Sequence, residues 1–157
     1  LFQNPDDQLF NRTVEREVAW GLTVSGVPRP EAIARSREVL AELGLDPVAE
    51  ANPMELRATQ RQLVALASVL VRGPRLLLLD EPTRALDAAA TATLIAAVDR
   101  RLDQGAAGLT ITHDLGLATA IADRWVVLSA GRVLADGPAA AVAAEDDTLR
   151  RARLLPE

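Results

Sequence analysis

Leu76-Leu77-Leu78-Leu79-Asp80-Glu81-Pro82 is the stretch that decides the fold class. A continuous apolar run of strand length, stopped upstream by Gly73-Pro74 and downstream by Pro82, predicts a central β-strand covered on both faces. Two adjacent carboxylates at its end would lie at the carboxyl edge of a sheet, where open α/β sheets bind ligands. Downstream, Asp87 is placed to cap a helix running to about Leu102, with Leu94, Ile95, Val98 and Leu102 facing inward. Gly108 to Thr112 then predicts a second strand, His113-Asp114 a turn, and Leu115 to Ala122 a helix. Strands alternating with helices imply an α/β layer architecture with a largely parallel sheet.

Upstream of that run, Gln60 to Val71 carries apolar residues around most of a helical circumference, as in a deeply packed helix. Residues 45 to 59 read as a polar connector. Glu31 to Leu43 sets Ile33, Leu40 and Leu43 on one face and ends at Gly44. Pro28 and Pro30 mark a turn. Thr13 to Leu22 predicts a helix with Thr13 as N-cap, and Leu1 to Arg12 reads as a loop. Toward the other end, Trp125 to Leu128 and Val133 to Ala135 predict a hairpin around Ala130-Gly131. The Ala-rich tail from Pro138 reads as helical. The coarse division is 13–72 helical, 73–137 the α/β core and 138–157 a helical tail.

The 157 residues are 49% hydrophobic and 25% charged, a balance that fits one globular domain and excludes intrinsic disorder. A net charge of −5 provides no global basic field for nucleic acid. Without cysteine, disulfide scaffolds and thiolate metal sites are excluded. No apolar run reaches bilayer-spanning length. All 17 cationic residues are arginine, so no chemistry that needs lysine can arise from these residues, a phosphate-binding loop of the GxxxxGK[ST] type included. Trp20 and Trp125 read as core or interface anchors, and Arg100-Arg101 and Arg150-Arg151 as solvated helix faces.

The acid pair suits two roles. Asp80, in line with the strand, is placed to hold Mg²⁺ directly or through water; Glu81, one residue on, is placed to polarise an attacking water. The alternative is that both merely solubilise a strand end. His113, the one histidine, also follows a strand and could contact a terminal phosphate; the alternative is an exposed turn residue.

Taken together, Leu76-Leu79 with Asp80-Glu81-Pro82-Thr83, then Ala85-Leu86-Asp87, then Thr112-His113-Asp114, resembles the ATP-binding cassette (ABC) ATPases, whose Walker B, D-loop and H-switch occur in that order. Gln3-Asn4-Pro5-Asp6-Asp7-Gln8-Leu9-Phe10 resembles the Q-loop of the energy-coupling-factor importers of vitamins, cobalt and nickel. The resemblance implies a P-loop NTPase-like nucleotide-binding domain and a transport ATPase using ATP and Mg²⁺. Asp80 and Gln3 would attend the metal, Glu81, His113 and Gln3 the chemistry, and Asp87 the nucleotide. Implied partners are a second ATPase subunit, a transmembrane coupling subunit and a substrate-binding membrane subunit, with no nucleic acid. The implied location is cytoplasmic, at the inner face of the membrane. Phe2, Phe10, Asp6 and Asp7 would form the groove for a coupling helix. Chromosome-organising cassette ATPases are disfavoured because no sustained heptad pattern appears.

Two departures stand out. The family's first strand, Walker A loop and following helix precede its Q-loop and do not occur in this sequence, which predicts a fragment that is inactive alone. Where the family signature reads Leu-Ser-Gly-Gly-Gln, this chain has Leu56-Arg57-Ala58-Thr59-Gln60. The helix N-terminus there remains favourable to anions and Thr59 could still cap it, but the bulk of Arg57 and the loss of glycine predict a degenerate composite site; the alternative is that Arg57 acts as a substitute cationic contact. The alternative function is a catalytically silent interaction module that pairs with a competent ATPase.

Overall fold

The Thr13 hydroxyl accepts the Arg16 N–H at 3.3 Å and starts the first helix, α1 (Val14–Val24), as its sequence predicts. The structure, a computed structural model, describes residues 1–156. Two units emerge from the chain, one spanning Leu1–Ile111 and the other beginning at Thr112. In the first, α1 is followed by α2 (Arg29–Glu42), α3 (Ala58–Leu70), strand β1 (Leu76–Asp80), α4 (Ala88–Asp103) and strand β2 (Ala107–Ile111). Pro30 belongs to the first turn of α2 rather than to a preceding turn. That position suits it, because a first-turn residue has no intrahelical use for an N–H.

Most of α3 is buried: Leu63, Val64, Ala65, Leu66, Ala67 and Leu70 are shielded with Gln62 among them. The connector before it is no free loop. It contains 3₁₀ turns at Asp46–Val48 and Pro53–Glu55, and Leu45, Pro53 and Leu56 are buried. The opening segment likewise contains a 3₁₀ turn, Pro5–Asp7, where the Asn4 side chain accepts the Asp6 N–H at 3.3 Å.

β1 and β2 pair in parallel, Leu76 opposite Ala107 through Asp80 opposite Ile111. The expectation of a strand covered on both faces is corrected here. Leu77 and Leu79 are buried, but Leu76 (54%) and Leu78 (53%) are exposed, as are Leu109 and Ile111 on β2. Successive strand residues alternate between faces, and among the described residues one face of this pair is uncovered. The largely parallel sheet is corrected too: the chain forms one parallel and one antiparallel pair, and helix predominates. In α4, Leu94 and Val98 are buried as expected, whereas Ile95 and Leu102 are only half-buried.

In the second unit, α5 (Leu115–Ile121) leads to the hairpin of β3 (Arg124–Ser129) and β4 (Arg132–Pro138), then α6 (Ala139–Ala143) and α7 (Asp146–Arg151). Ala130 (φ 47°) and Gly131 (φ 74°) both adopt left-handed backbone, the requirement of a two-residue hairpin turn that matches strand twist. Trp125, Val127, Val142 and Leu149 form this unit's core, and the Trp125 indole N–H donates to the Ala118 carbonyl at 3.2 Å. The expected helical tail continues to Glu157, which lies outside the described residues. Among the described residues no helix is long and apolar enough to cross a membrane.

Arg101 is not the solvated cation its position suggested. Its guanidinium donates to both oxygens of Glu42 (3.1 and 2.8 Å), and the two side chains are only 12% and 11% exposed. This pair ties α2 to α4 across 59 positions of sequence. Arg100 reaches the same carboxylate at 3.1 Å but is half exposed. Removing Glu42 strands a buried guanidinium. Glu42→Ala should therefore lower stability by about 3 kcal/mol, and Arg100→Ala by under ~1 kcal/mol, both read from the midpoint of urea unfolding.

Candidate functional site

β1 ends by delivering Asp80 to its last position and Glu81 into a turn. Glu81 has φ 43°, a left-handed backbone that a non-glycine residue adopts at some cost in strain. Two backbone bonds hold it there: the Glu81 N–H donates to the Ile111 carbonyl at 2.8 Å, and the Arg84 N–H donates to the Glu81 carbonyl at 3.2 Å. The parallel register with β2 thus determines where the second carboxylate leaves the sheet.

Gln3 arrives through the opening segment. The Leu1 nitrogen donates to the Leu78 carbonyl (2.7 Å), and the Leu1 carbonyl accepts the Asp80 N–H (3.2 Å), so this stretch runs along the β1 edge. Gln3 itself is exposed, two residues from this pairing. The segment is anchored further on by Gln8, whose amide donates to the Ala65 carbonyl (2.9 Å) and to the Ser68 hydroxyl (2.7 Å) of α3. The Arg61 guanidinium pairs with Asp6 at 2.9 Å and donates to the Leu56 carbonyl at 2.6 Å. Glu17, 3% exposed, accepts the Phe10 and Asn11 N–H groups at 2.8 and 2.6 Å. Phe10 meets Trp20 edge-on at 5.5 Å, and both rings remain largely exposed, so Trp20 is not a core residue.

The segment Leu56 to Gln60 opens α3. Leu56 is buried, Arg57 takes the N-cap place in extended backbone, and the Gln60 side chain accepts the Arg57 N–H at 3.2 Å. Thr59 does not cap this helix, contrary to expectation. The helix begins at Ala58, so Thr59 is already within its first turn, and its hydroxyl donates to the Ala85 carbonyl at 2.9 Å. One turn later, fully buried Gln62 donates to the Pro82 carbonyl at 3.1 Å. The sequence reading missed Gln62. The available signal was a second amide two residues after Gln60, at the point where the helix becomes continuously apolar. None of residues 57 to 59 adopts a left-handed conformation.

Asp87 caps α4, accepting the Ala90 N–H at 2.8 Å. The first unit therefore gathers Asp80, Glu81, the Gln3 segment, the opening of α3 and Asp87. His113 belongs to the second unit, exposed just before Asp114, which accepts the Leu117 N–H at 3.1 Å as the cap of α5.

For Mg²⁺, the donors fit. Asp80 and Gln3 offer oxygen, and magnesium typically takes one or two protein carboxylates while keeping waters and substrate phosphates. For the triphosphate, the fit is incomplete: with no lysine and no GxxxxGK[ST] stretch, these residues hold no phosphate cradle. No cluster of three or more His, Asp or Glu suited to a metal occurs among the described residues.

A parallel strand thus ends in paired carboxylates, and the loop that follows them is bonded at Pro82 and Ala85 to the opening turns of a buried helix. The chain belongs to the ABC transporter family, whose sequence profile matches residues 1–84. It is 45% identical to the nickel import ATP-binding protein NikO and 40% identical to the cobalt import ATP-binding protein CbiO, both from Rhodobacter capsulatus. Each alignment covers 99% of this chain, with 63% of NikO and 56% of CbiO. The solved structure of CbiO1 from Clostridium perfringens, described as part of the transporter complex cbiONQ, superposes with a TM-score of 0.78 at 30% identity. It covers 98% of this chain and 61% of that one. The chain thus spans about three fifths of the length of these relatives.

The Asp87 cap gives a test local to α4. Asp87→Ala should destabilise the chain by about 1 kcal/mol in denaturant unfolding, and Asp87→Asn, which keeps the acceptor, by less than half of that.

Proposed function

We propose that this chain is the Q-loop to H-switch portion of an ATP-binding subunit in an energy-coupling-factor importer. The observation that supports this best is the turn after β1: Asp80 pairs with the opening segment at Leu1, and the loop that follows Glu81 is held at Pro82 and Ala85 by side chains of the helix that begins at Ala58. In this reading Asp80 and Gln3 would hold Mg²⁺, which when bound offsets charge on the terminal phosphates. Glu81 orients and polarises the attacking water. His113 contacts the terminal phosphate, and Asp87 helps shape the nucleotide edge. A phosphate cradle must come from outside these 157 residues, because their composition cannot supply its lysine.

The partners in this reading are a second ATP-binding subunit, a transmembrane coupling subunit and a substrate-binding membrane subunit, with the assembly at the cytoplasmic face of the membrane. The names of the two Rhodobacter relatives favour a divalent transition metal as cargo. Phe2 and Phe10, each 63% exposed, with Asp6 and Asp7 nearby, are the surface assigned to the coupling helix. The signature is degenerate in this reading: Arg57 and Ala58 replace the serine and first glycine, so the composite site that they complete turns over slowly.

The chain by itself should show no magnesium-dependent ATP hydrolysis. Fused behind the N-terminal part of the nickel relative, it should hydrolyse ATP, and Glu81→Gln should slow the fusion at least about a hundredfold. Retention of full turnover by that variant would falsify the assignment of Glu81. In the same fusion, Arg57→Ser with Ala58→Gly, Thr59 being kept, should raise turnover about a hundredfold if one oriented donor is regained; an unchanged rate rules out degeneracy.

A further inference from the structure

We propose that Gln62 is a positioning residue for Glu81, and that the opening turns of α3 set the geometry of the hydrolytic carboxylate through it. The inference rests on the functional reading of Glu81 given above and goes beyond it by assigning a residue outside the five-residue signature. Three observations carry it. Gln62 is fully buried, and Leu63, Val64, Ala65 and Leu66 directly after it in the helix are buried too. Its Nε2 donates to the Pro82 carbonyl at 3.1 Å, in the peptide unit directly after Glu81. Its Oε1 is buried with no hydrogen-bond partner among the described residues.

The third observation separates the side chain's use from mere packing. A leucine of similar size would fill the same space without burying an unpaired acceptor, so the position bears a desolvation penalty that packing does not require. What glutamine provides, and leucine cannot, is an N–H directed at Pro82. That bond acts on a turn that is intrinsically strained, since Glu81 sits at φ 43°. Such a conformation persists where surrounding contacts over-determine it. The backbone bonds to Ile111 and Arg84 restrain Glu81 itself, and the bond from Gln62 restrains the following carbonyl. Thr59, one helical turn earlier, holds the Ala85 carbonyl at 2.9 Å in the same way. Two side chains of α3 therefore grip one loop at two points, and a shift of the helix start moves the carboxylate with it.

The test uses the complete ATP-binding subunit containing this chain, with Glu81→Gln, Gln62→Leu, Gln62→Met, the double variant Gln62→Leu/Glu81→Gln, and Thr59→Val. Gln62→Met is the informative near-isostere, because an unbranched thioether keeps the length of the side chain but offers no donor to Pro82. Both Gln62 variants should slow single-turnover ATP hydrolysis about tenfold to a hundredfold while leaving the affinity for ATP unchanged. Added to Glu81→Gln, Gln62→Leu should cause no further loss, since both act on one carboxylate. Independently of activity, amide exchange across residues 82 to 87 should accelerate in Gln62→Leu, Gln62→Met and Thr59→Val, with α1 and α2 protected as in the parent. Parental hydrolysis in both Gln62 variants, or a full multiplicative loss in the double variant, overturns the inference while a slow Glu81→Gln leaves the functional reading standing. If Glu81→Gln is fully active, that reading fails instead, and unchanged exchange at 82 to 87 then overturns the Gln62 restraint as well. Should Gln62→Leu not fold, the near-isosteric Gln62→Met and Thr59→Val decide by the same readouts.

Discussion

Backbone pairing sets the start of the turn that follows β1. A parallel ladder places the Ile111 carbonyl opposite the end of β1, and the Glu81 N–H takes it. A carboxylate at that point must then leave the sheet with its backbone in a left-handed conformation. The strain is local and modest, but it has to be matched by restraint from elsewhere. The restraint comes from α3, an element far from β1 in its chemistry and separated from it by Gly73-Pro74. Burial of α3 on almost every side fixes its axis, and a fixed axis is what allows short side chains such as Thr59 to hold a neighbouring loop at hydrogen-bond distance.

The rest of the first unit is arranged around the same helix. Gln8 anchors the opening segment to α3 at Ala65 and Ser68, and Arg61 joins that segment to the start of the helix through Asp6 and Leu56. Glu17 closes the segment from the side of α1. These are polar bonds to backbone groups, several of them in buried or half-buried surroundings where they are electrostatically stronger than in water. The Glu42–Arg101 pair works by the same principle between α2 and α4. Apolar burial supplies most of the stability of this unit, while a few charged and amide side chains set the positions of the loops.

Much of the architecture was legible along the chain, and the exceptions have common causes. Caps at Thr13 and Asp87 were readable because an N-cap is a local contract between a side chain and an N–H two or three residues away. The hairpin at Ala130-Gly131 was readable for the same reason. Thr59 was misread because helix start depends on where burial of Leu56 fixes the incoming chain, and one residue of displacement changes a cap into a bridge. Arg101 was misread because its partner lies 59 positions away. Trp20 was read as a core or interface anchor and is not in the core; whether a large ring is covered within a chain depends on neighbours that periodicity does not name. The leucine run predicted a strand correctly but not its two faces, since covering a face is the work of another element.

The sequence by itself determined which chemistry these residues can and cannot perform. Paired carboxylates close a strand, a single imidazole follows another, and the absence of lysine excludes a phosphate cradle made from this segment alone. Composition and local order suffice for such conclusions because functional groups are a property of residues, not of contacts. The tertiary structure alone decided which of these groups are held and by what. Gln62 is unremarked in the sequence and becomes a restraint on Glu81 only because burial brings α3 within 3.1 Å of the Pro82 carbonyl. Distance between residues 20 positions apart is set by packing, and no local rule of sequence encodes it.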